Sequence, residues 1–232
     1  MGRDDGDGPD GDGHRVDEVV TERLALGLDL SLTASGLCVV QGTPEGPRPF
    51  TWVDEQGRTV GSWRTIRRVK DATDLEAMAT MAEQVVDYAR GWRIERVAIE
   101  DVFAPPMRRQ EGETQAQAEM RATKQRQNAI NLGRLGGMVE YLMWRRGIKP
   151  VRYMAMSWRS RVFGGNVGKV AIPLRTYQTY GVEFSTEHEC MAFGIGVAAL
   201  IDMGGAVDRR RTQGKATPKA KAPAAPTLPG IA

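Results

Sequence analysis

The chain has 232 residues, 41% of them hydrophobic and 26% charged, with a formal net charge of +3. These are the proportions of a soluble globular protein, and the length suits one domain with a substantial core plus loose ends. The slight positive balance admits a nucleic-acid partner without requiring one. No signal peptide is expected, because the N-terminus is acidic and lacks an apolar stretch, and the longest apolar run, Cys190 to Ile201, is too short to span a bilayer and holds two glycines. Cys38 and Cys190 stand far apart in apolar company and read as buried small residues in a reducing compartment, so a disulfide or zinc framework is not expected. The expected location is the cytoplasm.

Residues 1–20 are rich in Gly and Asp, have little to bury, and read as a disordered acidic tail. A folded domain is expected over 21–205. Residues 206–232, with Arg209, Arg210 and Arg211 followed by Lys215, Lys219 and Lys221 among Pro and Ala, read as a flexible basic tail.

Within the domain, RLALGLDL (Arg23 to Leu30) is long enough for a buried strand, SLTASG makes a turn, and LCVVQ (Leu37 to Gln41) completes a hairpin. TPEGPRP reads as a loop, followed by strands near Phe50–Val53 and Ser62–Arg67. Thr73-Asp-Leu-Glu76 is a capping box, and Leu75, Met78, Met81, Val85 and Ala89 recur behind it at helical spacing. RVAIED (Arg96 to Asp101) is a short strand ending in two acids. A polar segment leads to a long helix, expected over about 122–146, with Ile130, Leu132, Leu135, Met138, Leu142 and Met143 as its apolar face. A strand at Pro150–Met154, an irregular basic loop at 157–168, a helix to about Tyr180 and a last helix from about Thr186 to Met203 complete the domain. This order predicts an α/β fold with a mixed sheet.

Asp29 is the most informative residue. A carboxylate among Leu26, Leu28, Leu30 and Leu32 is expensive to bury unless it is paired or binds a cation; the other reading is a strand-end acid bonded to the SLTASG turn. Glu100 and Asp101 end a second apolar strand, and adjacent strand ends form the usual site crevice of an open α/β sheet. Two carboxylates there repel each other, which a divalent cation relieves. Glu189 at the start of the last helix is the third candidate, as a metal ligand or as the closing residue of a Thr186–Glu189 capping box. Glu187 and His188 are the remaining candidates beside it.

GLDLSLTASGLCVV resembles the opening hairpin of RuvC-type Holliday junction resolvases. VAIEDVF is similar to that family's second acidic strand, NLGRLGGMVEYLM to the helix after it, and HECMAFGIGVAAL to its final helix. The match runs in order over about Leu24 to Ile201. It implies an RNase H-like fold with a five-stranded mixed sheet flanked by helices, Mg²⁺ or Mn²⁺ dependence, a homodimer, and paired nicking of four-way or branched DNA. The charged tails resemble those of phage members. The resemblance assigns catalysis to Asp29, Glu100, Glu189 and Lys169, and metal binding to Asp29, Glu100 and Glu189, with Glu187 or His188 as the alternatives for a remaining metal contact. Two positions depart from it. The family usually has Asp-Ala where this chain has Glu189-Cys190, and an acid or His where this chain has Thr186.

Acids of this kind would hold one or two cations about 4 Å apart, activating water for an in-line displacement, with Lys169 beside the phosphate. Arg108, Arg109, Lys124 and Arg126 form one basic stretch and Arg159 and Arg161 a second, both suited to phosphate tracking. An actin-like or sugar-kinase-like ATPase shares a hairpin with a buried Asp, yet 232 residues leave little room for its second domain. Gly164 to Lys169 fails as a P-loop on spacing, with Val170 where Ser or Thr must stand. A junction-binding protein that has lost cleavage is the other alternative.

Overall fold

A computed structural model describes residues 23–101 and 110–206. The tails, and Arg108 and Arg109, lie outside the described residues. The strands are β1 (Leu24–Asp29), β2 (Ala34–Thr43), β3 (Gly46–Pro49), β4 (Thr51–Val53), β5 (Thr59–Gly61), β6 (Trp63–Arg67), β7 (Arg96–Glu100) and β8 (Val151–Tyr153). The helices are α1 (Asp74–Arg90), α2 (Gln115–Trp144), α3 (Ala155–Phe163), α4 (Ile172–Tyr180) and α5 (Glu187–Asp202). No helix of the described residues is long and apolar enough to cross a membrane.

The main sheet runs β3-β2-β1-β7-β8, with β6 as a sixth strand paired to β2, while β4 and β5 make a separate hairpin. It is mixed, as expected: β1 and β2 are antiparallel, whereas β1, β7 and β8 are parallel. Side chains alternate between its faces. Leu26, Leu28, Val97 and Ile99 pack against Met81 and Val85 of α1 and Leu135, Val139 and Met143 of α2. Ala25 and Ala98 face the opposite way, onto Ala192, Phe193 and Ile195 of α5 and Trp158 of α3. Helices therefore cover both faces of the sheet. The capping box at α1 forms, with the Thr73 hydroxyl accepting the Glu76 amide and the Glu76 carboxylate accepting the Thr73 amide.

Three segments differ from the sequence reading. TPEGPRP is not only a loop, since 46–49 pair with β2 as an edge strand. The basic segment after Met154 is helical over Ala155–Phe163, because Trp158 and Val162, one turn apart, both bury against the core. The long helix starts earlier, at Gln115, behind a capping box made by Thr114 and Gln117. Its buried stripe is Asn131, Leu135, Val139 and Met143, and Ile130 points outward.

α5 lies directly on β1. A Cβ at Gly27 would fall 1.9 Å from the Ala192 carbonyl oxygen and 2.4 Å from the Gly196 amide, so only glycine lets these backbones meet. Both obstacles are main chain and cannot rotate aside. Gly27→Ala is expected to destabilise the fold by about 3 kcal/mol or more, the upper range for an overpacked core. Urea unfolding checks this, and an unchanged midpoint would mean that α5 rides higher on the sheet.

Candidate functional site

Parallel pairing of β1 with β7 brings two acids side by side. Leu28 pairs with Ile99, which leaves Asp29 and Glu100 as the next residues of neighbouring strands. Strand alternation turns both toward the α5 face, opposite to Leu28 and Ile99. Asp101, one residue on, takes the other direction and pairs with Arg152 at 3.1 Å. The SLTASG turn is closed by Ser31 and Ser35, whose side chain bonds the Ser31 carbonyl and accepts its amide. Asp29 has a partner elsewhere.

That partner is His188, whose Nδ1 lies 2.7 Å from Asp29 Oδ2. Asp29 is 8% exposed, and its hydrogen bond raises the His188 pKa above the ordinary 6.5, ahead of the opposing effect of burial. Glu100 accepts a hydrogen bond from the indole N–H of the fully buried Trp158 at 3.0 Å, and Arg159 lies 3.7 Å from its other oxygen. A buried indole needs an acceptor, so α3 and β7 are tied together at the acid. Burial pushes the Glu100 pKa up, the Trp158 bond works against this, and the Asp29 charge adds to it. Each acid thus faces its own cationic or hydrogen-bonding partner.

Asp29, Glu100, Arg159, Lys169 and His188 line one open groove of about 460 Å³, whose opposite wall is Gln125, Asn128, Ala129 and Leu132 of α2. Lys169 pairs with Glu187 at 2.8 Å; burial lowers its pKa, but Glu187 and the charges of Asp29 and Glu100 outweigh it and leave the ammonium held on. Glu187, which does not line the groove itself, has its side chain about half in solvent. Lys124 and Arg126 are exposed on α2 and flank Gln125.

Glu189 is not part of the groove lining. The next residue of a helix is turned by about 100°, so while His188 meets Asp29, Glu189 accepts from the Thr65 hydroxyl of β6 at 2.9 Å. Half of the expected capping box forms: Thr186 accepts the Glu189 amide at 3.2 Å, and the Glu189 carboxylate goes to Thr65. Arg161, expected as a DNA contact, has two partners within the chain. Its guanidinium sits over the Tyr153 ring and is ion-paired with Asp202. Gln125 and Asn128 escaped the sequence reading because amides carry no charge signal, although positions 125, 128 and 132 share one helical face. Gly164 to Lys169 follows a helix and not a strand, which removes the P-loop alternative.

Among the described residues, no three His, Cys, Asp or Glu side chains converge closely enough to hold a metal ion among themselves. The groove does offer two hard carboxylates, Asp29 and Glu100, whose charges oppose each other. Two carboxylates completed by water and phosphate are a usual donor set for Mg²⁺, so these residues fit such an ion.

No protein-family model matches the sequence, and no curated protein does either. Among solved structures, the chain is similar to Thermus thermophilus RuvC, at 18% identity and a TM-score of 0.55, over 79% of this chain and 98% of that one. It is also similar to T. thermophilus RuvC in complex with a Holliday junction substrate, at 19% identity and a TM-score of 0.57, over 80% of this chain and 98% of that one. The fold is RuvC-like. At this identity the likeness concerns the fold, and the chemistry has to be argued from the groove.

The Asp29–His188 pair gives a pH prediction for the metal-free protein. The folded pKa of His188 is raised, so the pair's stabilisation is full below the unfolded pKa of the imidazole and is lost as pH rises through the folded one. Asp29→Asn is therefore expected to lower the His188 pKa, measured by NMR, and to lose more stability in mildly acidic solution than in alkaline. An unshifted His188 pKa would contradict the pairing.

Proposed function

We propose that the protein is a divalent-metal-dependent endonuclease that hydrolyses phosphodiesters in branched DNA, resolving four-way junctions by paired nicks. The observation that carries this reading is the pair of desolvated carboxylates at neighbouring strand ends, set in an open groove with Lys169 and Arg159. Asp29 and Glu100 would hold Mg²⁺ or Mn²⁺, which supplies charge neutralisation and an activated water when bound. Lys169 and Arg159 place positive charge where a phosphate meets the acids, and their charge lessens the repulsion between backbone and carboxylates. The exposed Lys124 and Arg126 extend that field along α2. The RuvC-like fold adds to the reading, because one of the similar structures contains a Holliday junction.

Paired nicking calls for two sites, and α2 supplies a surface for a second copy. Ile130, Tyr141 and Trp144 are exposed by half or more, and Gly133 and Gly137 between them have open space where a Cβ would stand. Glycine inside a helix costs about 1 kcal/mol relative to alanine, which a close-packed partner helix would offset. A second reading is a junction-binding protein without cleavage. Two observations favour it, the occupation of Glu100 by Trp158 and Arg159 and the position of Glu189 away from the groove.

One experiment separates them: a synthetic four-way junction incubated with the protein, with and without Mg²⁺. The endonuclease reading expects symmetric nicks only with metal. It expects Asp29→Asn and Glu100→Gln to abolish them with junction affinity kept or improved, because each change removes a charge that repels phosphate. It expects Gly137→Arg to leave single, uncoupled nicks. Tight binding without nicks in either Mg²⁺ or Mn²⁺ would establish the binding protein instead.

A further inference from the structure

Glu189 is 6% exposed, and of its carboxylate oxygens one accepts from Thr65 while the other, Oε2, is buried without a partner among the described residues. Burying a carboxylate in this way costs stability. The cost is explained by what the side chain closes. The Thr65 hydroxyl lies 2.9 Å from Glu189 Oε1 and 2.9 Å from the Thr186 hydroxyl, and Thr186 accepts the Glu189 amide at 3.2 Å. Only one assignment of protons gives every acceptor a donor. The Glu189 amide donates to Thr186, Thr186 donates to Thr65, and Thr65 donates to the Glu189 carboxylate. The result is a closed ring of three hydrogen bonds, in which each bond polarises the next.

The ring joins the first turn of α5 to β6, next to the residue that meets Asp29. Thr65 pairs with Gly36 of β2, and Gly36 lies under the same turn, where a Cβ would come 2.0 Å from the His188 carbonyl oxygen. The backbone of His188 is thus seated on Gly36 and fastened through Glu189 and Thr65. A shift of α5 by even part of a turn would carry the imidazole off Asp29.

We propose that Thr65 and Glu189 form a clasp between β6 and α5 that holds His188 on Asp29, which makes both of them positioning residues for the groove. This rests on the groove being the working site, and deepens that reading: the acid at 189 acts through a threonine on the sheet.

The test uses Thr65→Val, which removes the hydroxyl at nearly constant shape, Glu189→Gln, which keeps an acceptor oxygen, and Glu189→Leu, which does not. The first readout is the hydrogen-bonded imidazole N–H resonance of His188 in the metal-free, ¹⁵N-labelled protein, which has only two histidines to assign. The second is Mn²⁺ affinity. Thr65→Val and Glu189→Leu are expected to lose the resonance and weaken Mn²⁺ binding roughly tenfold, the scale seen when a ligand's supporting partner is removed. Glu189→Gln is expected to keep both. Retention of resonance and affinity in Thr65→Val overturns the clasp, and so does a Glu189→Gln variant that loses Mn²⁺ affinity with its imidazole resonance intact, since Glu189 would then be a direct ligand. Should the wild-type protein neither bind Mn²⁺ nor cut junctions, the metal-nuclease reading fails, and the resonance pattern still decides the clasp.

Discussion

Parallel pairing between β1 and β7 forces two carboxylates, Asp29 and Glu100, to the same face at the same end of the sheet. Burial raises the cost of ionising Glu100, and the Asp29 charge beside it adds to that cost. Much of the surrounding structure answers that constraint. His188 is brought to Asp29 by the first turn of α5, Trp158 and Arg159 are brought to Glu100 by α3, and Lys169 sits within the field of both acids. Without these neighbours the two strand ends would be under strain in the absence of a cation.

The arrangement also explains why α5 lies so deep. Gly27 and Gly36 let the helix approach the sheet at backbone distance, which is what carries His188 to the strand end. Side chains with large, fixed volumes then fill the remaining space, Trp158 foremost, and its single polar atom is used on Glu100. Packing and electrostatics are in this way the same set of contacts, and a change in one moves the other.

Much of this was readable from local pattern. The buried strand ending in Asp29, the acid at Glu100, the box capped by Thr73 and the apolar α5 all rest on periodicity and short-range chemistry, and each is found close to where the sequence puts it. α3 escaped because only two of its residues, Trp158 and Val162, are buried, too few for a periodic signal among Arg and Ser. The first turns of α2 escaped because they are polar throughout, although Thr114 and Gln117 form a legible cap. The partner of Glu189 was out of reach, since it depends on a threonine 124 residues earlier whose place in the sheet is set by tertiary pairing.

The central claim is that Asp29 and Glu100 together accept a divalent cation, which takes the place of Arg159 at Glu100 while His188 stays on Asp29. Anomalous diffraction from crystals soaked in Mn²⁺ tests this most directly. The account predicts a peak in the groove within bonding distance of both carboxylates, with Arg159 moved off Glu100. A peak bound elsewhere, or none at saturating Mn²⁺ with Arg159 still on Glu100, would contradict it.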